Sequence, residues 1–448
     1  MTSLLIKEAM LVNEGRCYRA DLLIAQGRIQ QIAPTISPPP QIPVLEAAGK
    51  YLLPGMIDDQ VHFREPGFPH KGTIATESRA AVAGGITSFM EMPNVNPPTT
   101  NLQALEDKYA RAATSSVANY SFYLGATPDN LEEIQRLKPG QACGLKIFMG
   151  SSTGDLLVDD EAVLNQIFAT TPLLIATHCE DTPTIQAAEL AYAKRYGSAI
   201  PAEAHAEIRS VAACLRSSRL AVAIAKKHGT RLHVLHLTTA DELALFTPAP
   251  TLADLQNKQI TAEVCVHHLF FNQQDYQRLG HQIKCNPSIK SAQHQQALIQ
   301  GIKEGRLDII ATDHAPHTWA EKQQAYAQAP SGLPLVQQAL LMLLALYQRG
   351  LLSLELIVQK TSHAVAERFQ LVNRGYLREG YWADLVLVDL QRPTPVRQED
   401  LLYHCGWSPL TGETFQSSID TTWVNGVIVY QRQQLTGQQP GQRLLFRR

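Results

Sequence analysis

The sequence predicts an α/β protein: a TIM-type (β/α)8 barrel with a small β-rich lobe formed by both termini. Three observations carry that prediction. Through the middle of the chain, short apolar runs alternate with longer segments of helical period. The two ends, by contrast, read as strands and hairpins. Finally, polar residues that packing does not explain recur at the C-terminal ends of the middle runs, where barrels of this kind carry their sites.

The elements follow in order. Residues 4–12 (LLIKEAMLV) and 21–32 (DLLIAQGRIQQI) read as strands, and Gln26-Gly27 marks a hairpin turn. Pro38, Pro39 and Pro40 punctuate a loop. The middle runs are 52–57, 86–92, 119–124, 143–149, 173–177, 231–236, 260–266 and 308–312. Between them lie segments such as 75–83 and 207–227, whose apolar residues recur with helical spacing. Residues 383–389 and 421–430 are again strands, with Asn425-Gly426 as a second hairpin signal. The expected division is a lobe from 1–53 and 365–448 around a barrel of 54–364.

The 448 residues suit one large barrel plus an accessory lobe. A net charge of -2 gives no reason to expect nucleic acid or an anionic membrane as a partner. Met1–Met10 has no signal-peptide layout and no apolar run is long enough to span a bilayer, so a cytoplasmic protein is expected. The seven cysteines are an odd number, scattered, with no CxxC pair. That argues against a disulfide framework and against a cysteine-only zinc site.

The polar residues at the strand ends are more specific. Asp58, Asp59, Gln60, His62 and Arg64 follow the first run, and Asn94 follows the second. Lys146 sits inside CGLKIFM, His178 closes LLIAT, His236 closes LHVL and Asp313 closes DIIAT. Taken singly, each has an ordinary explanation: a hydrogen-bonded histidine at a rim, a snorkelling lysine, an aspartate capping the next segment. Taken together, they fall at one end of separate strands and can converge on one point. Imidazole and carboxylate are the donors zinc takes when thiolates are absent.

The runs PGMIDDQVHFREPG (54–67), AAVAGGITSFMEMPN (80–94), GLKIFMGSSTG (144–154), HCED (178–181), HVLHLTTADE (233–242) and ATDHAPHT (311–318), taken in this order, resemble the dihydroorotase group of the amidohydrolase superfamily. The terminal segment EGYWADLVLVD (379–389) resembles it as well. The resemblance implies a zinc enzyme with one or two ions. His62 would be a ligand of the first ion and His178 and His236 of the second. Lys146 would be carbamylated and bridge them, and Asp313 would bind the first ion and shuttle the proton. Arg64, Asn94 and His317 look like a carboxylate-binding site, and Asn286 (in KCNPSIK, 284–290) and Gly332 (in APSGLP, 329–334) like further substrate contacts. Between the two histidines of HVLH, the resemblance selects His236 over His233. It also makes sense of Lys146, since carbamylation turns a buried ammonium, costly to desolvate, into an anionic ligand.

One position departs from the pattern. The first strand of this group ends in His-x-His, and here it reads Gln60-Val61-His62. Gln60 offers zinc at best a neutral carbonyl oxygen. The activity implied is the reversible closure of N-carbamoyl-L-aspartate to dihydroorotate in de novo pyrimidine biosynthesis, by an enzyme whose family habit is a homodimer. Two other readings fit the residues. One is a related cyclic amidohydrolase: a hydantoinase, dihydropyrimidinase or allantoinase. Their substrates lack the ring carboxylate, and allantoinases resemble this chain less at Arg64, where they carry Asn. The other is a non-catalytic subunit that scaffolds a partner such as aspartate carbamoyltransferase. Such subunits lose several ligands, whereas this chain departs at one position of six.

Overall fold

The computed structural model describes residues 3–150 and 156–447. The end of the GLKIFMGSSTG motif, Ser151–Gly154, lies outside the described residues.

Strands from both ends of the chain share one nine-stranded sheet. Leu4–Asn13 pairs with Arg16–Ala25, which pairs in turn with Arg28–Ala33. On its other side Leu4–Asn13 meets Tyr51–Pro54, which runs antiparallel to Leu385–Asp389 with Leu52 opposite Leu387. Ser418–Val424 and Val427–Gln431 extend the sheet beyond that seam. Its inner face buries Ile6, Leu11, Leu22, Ile24, Leu52, Leu385, Leu387 and Trp423 together. Both hairpin signals fold as their residues dictate. Gln26 and Gly27 take φ of 52° and 79°, and Asn425 and Gly426 take 51° and 77°, the left-handed pair that a two-residue hairpin turn requires.

The middle of the chain alternates parallel strands with helices. Met56–Val61, Ile86–Glu91 and Asn119–Phe122 form one parallel set. Leu124–Gly125, Leu145–Phe148, Ile175–His178, Leu232–Val234, Ile260–Cys265 and Ile309–Ala311 form a second. Tyr123 joins the two sets at one seam. At the other, Val61 bridges His314 in parallel, and the His62 N–H donates to the His314 carbonyl at 2.7 Å. The helices begin and end on local signals. Ile74–Ala83 opens on a reciprocal Thr73–Thr76 capping box, and Val211–His228 opens on Ser210 and stops at left-handed Gly229.

The apolar run 52–57 is not one strand. Its first half completes the terminal sheet and its second half starts the parallel one, with Gly55 between. A Cβ on Gly55 would stand 2.2 Å from Thr87 Oγ1, so only glycine lets the chain pass between the sheets there. All seven cysteines are free. Among the described residues no helix is long and apolar enough to cross a membrane.

Candidate active site

Strand register brings the polar strand ends level. Phe148 lies beside His178, Thr177 beside Val234, and Cys265 beside Ala311, so the residues that follow each pair emerge at one end. A cleft there is lined by Gln60, His62, Arg64, Asn94, Lys146, His178, His236, Asn286, Asp313 and Gly332, with Phe148, Ala315 and Ser331. His317 is the one expected site residue outside that lining. Arg64, His236 and Asp313 hold φ of 72°, 40° and 48°. A non-glycine residue in this region costs of order 1–3 kcal/mol, and such strain gathers where surrounding contacts fix a side chain for function.

His178 Nδ1 stands 3.0 Å from His236 Nε2. The other nitrogen of His178 faces Glu180 Oε2 at 3.0 Å, and Arg209 donates to the same oxygen at 2.6 Å. Burial pushes the Glu180 carboxyl up, but Arg209 and His178 outweigh it and hold Glu180 ionised. Burial drives both imidazoles toward the neutral form, His236 the more strongly because His178 adds to the effect. Each neutral imidazole keeps one lone pair, and with the N–H on His178 Nε2 and on His236 Nδ1 both lone pairs face one place, at about the spacing of two nitrogens on one zinc with bonds of roughly 2.0–2.1 Å. Glu180 behind His178 is the carboxylate support that metal-binding histidines usually have.

Lys146 is 1% exposed. No hydrogen bond or ion pair holds its ammonium among the described residues; its nearest recorded partner is the Phe148 ring, 4.6 Å away. Burial pulls its pKa down to about 8, which leaves a usable fraction of neutral amine near neutral pH. A neutral amine is what a carbamate forms from. The donors present, two neutral imidazoles and an unpaired buried amine beside a carboxylate, fit a divalent ion.

Asp313 Oδ1 meets His62 Nε2 at 3.1 Å and accepts from Gln60 Nε2 at 3.1 Å. Burial raises the Asp313 pKa, but the contacts with His62 outweigh it and hold the carboxyl below its ordinary value. Gln60 therefore presents its N–H to Asp313, while its oxygen faces Cys265 Sγ at 3.9 Å. Ligation through that oxygen needs the amide to turn over.

Arg64 Nε donates to the Pro316 carbonyl at 3.0 Å, which braces the guanidinium at the cleft. Burial pulls its pKa down to about 10, so it stays charged at neutral pH. Among the described residues the buried Asn94 carbonyl oxygen has no hydrogen-bond partner. With its amide turned to the orientation that satisfies its neighbours, Asn286 donates to Ser331 Oγ at 2.9 Å and accepts from Arg209 Nη2 at 3.1 Å. Gly332 has φ 138°, and a Cβ there would stand 2.5 Å from the Ala315 carbonyl oxygen. His317 sits behind this wall. Lys71 Nζ meets its Nδ1 at 3.1 Å, so Nδ1 accepts, and Nε2–H is left to donate to the Ser331 carbonyl at 3.1 Å. The 3.0 Å approach of Arg64 Nη2 to that same Nε2 is then a contact of two donors. Burial, with Arg64, Lys322 and Lys71 nearby, keeps His317 neutral.

Further residues support the cleft, and the sequence gives no sign of Lys322 or Lys71 among them. Lys322 is buried and donates to the carbonyls of Lys284, Pro330 and Gly332, tying down the Gly332 loop. Lys71 sets the His317 tautomer while pairing with Glu321 at 2.9 Å. His233 faces away from the cleft, toward Asp59 and Glu263. His314 bonds Glu77 Oε2 at 2.8 Å and supports the backbone of Leu335.

The amidohydrolase family profile matches residues 51–429. A dihydroorotase of Methanosarcina mazei is 32% identical over 419 residues, 92% of this chain and 91% of that protein. An allantoinase of Solibacter usitatus is 31% identical over 452 residues, 99% of this chain and 97% of that protein. Among solved structures, an L-hydantoinase (dihydropyrimidinase) from Arthrobacter aurescens superposes with a TM-score of 0.92 at 26% identity, covering 99% of this chain and 100% of that one.

Proposed function

Because this chain belongs to the amidohydrolase family, we propose that it is a metal-dependent cyclic-amide hydrolase that interconverts dihydroorotate and N-carbamoyl-L-aspartate. The observation that carries the reading is a charged guanidinium, Arg64, lining the same cleft as His178, His236 and Asp313. Dihydroorotate bears a ring carboxylate for a planar fork of N–H donors to grip. Hydantoin, dihydrouracil and allantoin bear none and leave a buried cation without a partner, which is costly.

In this reading His178, His236 and a carbamylated Lys146 would hold one zinc ion, and His62, Asp313 and Lys146 would hold another, with or without Gln60. Bound there, zinc lowers the pKa of a water and polarises a carbonyl oxygen. The chain's own residues do the rest. Arg64 anchors the carboxylate, and the unpartnered Asn94 oxygen is free to accept an N–H. His317, through Ser331, and Lys322 hold the Gly332 loop against the ring. Asp313 accepts the proton of the attacking water and returns it to the ring nitrogen as the C–N bond breaks. In the reverse direction the same carboxylate takes the proton from the carbamoyl nitrogen as the ring closes.

The parallel strands read as a closed (β/α)8 barrel, supported by the Val61–His314 bridge at the open seam. The sheet shared by both termini supports the lobe of 1–53 and 365–448. Hydrolysis of dihydroorotate by metal-analysed protein, followed at the ultraviolet band of the ring, tests the proposal. Turnover with hydantoin or allantoin and none with dihydroorotate would replace it with one of the related activities.

A further inference from the structure

Directly beneath the cleft lies a second group of donors that the reaction does not use. Asp59 precedes Gln60, His233 lies on the strand below His236, and Glu263 lies on the next strand; all three are fully buried. Thr261 Oγ1, 2.8 Å from His233 Nδ1, fixes the imidazole. Its Nε2 is then aimed between Asp59 Oδ2 at 3.2 Å and Glu263 Oε2 at 3.5 Å. Neither approach is a well-aligned hydrogen bond: His233 Nε2, both Asp59 oxygens and Glu263 Oε2 are buried without a hydrogen-bond partner.

Among the described residues no lysine or arginine pairs with either carboxylate. Four buried polar atoms that meet in one place without a hydrogen-bond partner are costly. A single ion resolves this. The three ligand atoms lie within 4.8 Å of one another, and with the two shorter edges at 3.2 and 3.5 Å they leave a point no more than about 2.4 Å from each, within the bond lengths of divalent cations. Two carboxylates and one imidazole suit manganese, iron(II) or zinc.

We propose that Asp59, His233 and Glu263 form an interior site for a divalent transition-metal ion, separate from the metal centre of the cleft. Glu263 spans the two levels: its Oε1 accepts the backbone N–H of His236 at 3.1 Å. An ion beneath would therefore fix the base on which His236 and Gln60 stand.

The test uses the full chain and Mn2+ as the probe. A variant with Lys146→Ala, His178→Ala, His236→Ala and Asp313→Ala, stripped by chelator and re-equilibrated with Mn2+, is expected to keep about one ion per chain. Adding Asp59→Asn and Glu263→Gln is expected to abolish it, with circular dichroism confirming that both proteins are folded. Crystals of the unaltered protein soaked in Mn2+ are expected to show an anomalous peak between the three side chains, whether or not the variants fold. A folded first variant without bound manganese, or anomalous peaks confined to the cleft, overturns the proposal.

Discussion

The amide nitrogen of Gln60 stands 3.1 Å from Asp313 Oδ1, the same oxygen that His62 Nε2 meets at 3.1 Å. The residue standing where this family has an imidazole thus acts as a hydrogen-bond donor to a proposed ligand. It draws electron density from Asp313 instead of adding a donor atom to the ion. In the proposed centre the half built on His62 and Asp313 would therefore be the weaker one, while His178 and His236 would keep a full imidazole pair.

Replacing Gln60→His is expected to raise the zinc retained after dialysis, because an imidazole then stands beside His62. Elemental analysis of both proteins after identical dialysis reads the difference, and any interior ion cancels in the comparison. Equal metal content would mean that the Gln60 oxygen already ligates.

Replacing Asp313→Ala is expected to lower turnover by roughly 10²–10⁴-fold, the usual contribution of a general acid–base group, with the circular dichroism spectrum unchanged. Turnover above about a tenth of the original would remove Asp313 from the proton path.

Replacing Lys146→Ala is expected to give an inactive protein with reduced zinc. Short carboxylic acids added to the buffer should partly restore the rate by occupying the place of the carbamate. Full zinc and full rate in the variant would show that Lys146 bridges nothing.

Far from the cleft, His363 joins the N-terminal strands to the C-terminal segment. Its Nε2 accepts the Glu14 N–H at 2.9 Å and its Nδ1–H donates to the Gly375 carbonyl at 2.6 Å. Burial pulls its pKa down to about 4. Below pH about 6.5 the unfolded chain binds a proton that the folded chain refuses until about pH 4, so stability falls as pH drops through that window. The loss is about 2 kcal/mol by pH 5. The urea midpoint at pH 7 and pH 5 measures it, and His363→Gln should lessen the dependence. An unchanged dependence in the variant would assign it to other groups.

The sequence exposes those features that leave a local mark. His178 and Asp313 stand out because each closes an apolar strand, and the hairpins because Gln26-Gly27 and Asn425-Gly426 suit a left-handed turn. The division of the run 52–57 between two sheets leaves no mark, since both halves are apolar and only the approach of Thr87 to Gly55 explains the break. Nor do the left-handed backbones of Arg64, His236 and Asp313. His317 shows the limit for single residues. Its position in ATDHAPHT suggests a substrate contact, and nothing in the sequence shows that Lys71, 246 residues away, meets one of its nitrogens. Asp59 belongs to the polar cluster after the first run and Glu263 lies within an apolar run well over a hundred residues on, and only the fold brings them to the same imidazole.

The central claim is that Arg64 selects a ring bearing a carboxylate, and its most direct measurement is kcat/KM for dihydroorotate and for hydantoin, in the original protein and in Arg64→Met. Loss of a charge-assisted fork costs roughly 1.5–3 kcal/mol, about 10- to 150-fold. The prediction is that dihydroorotate is the preferred substrate of the original protein and that the variant loses this factor on dihydroorotate while changing little on hydantoin. Equal losses on both substrates, or a preference for hydantoin in the original protein, would contradict it.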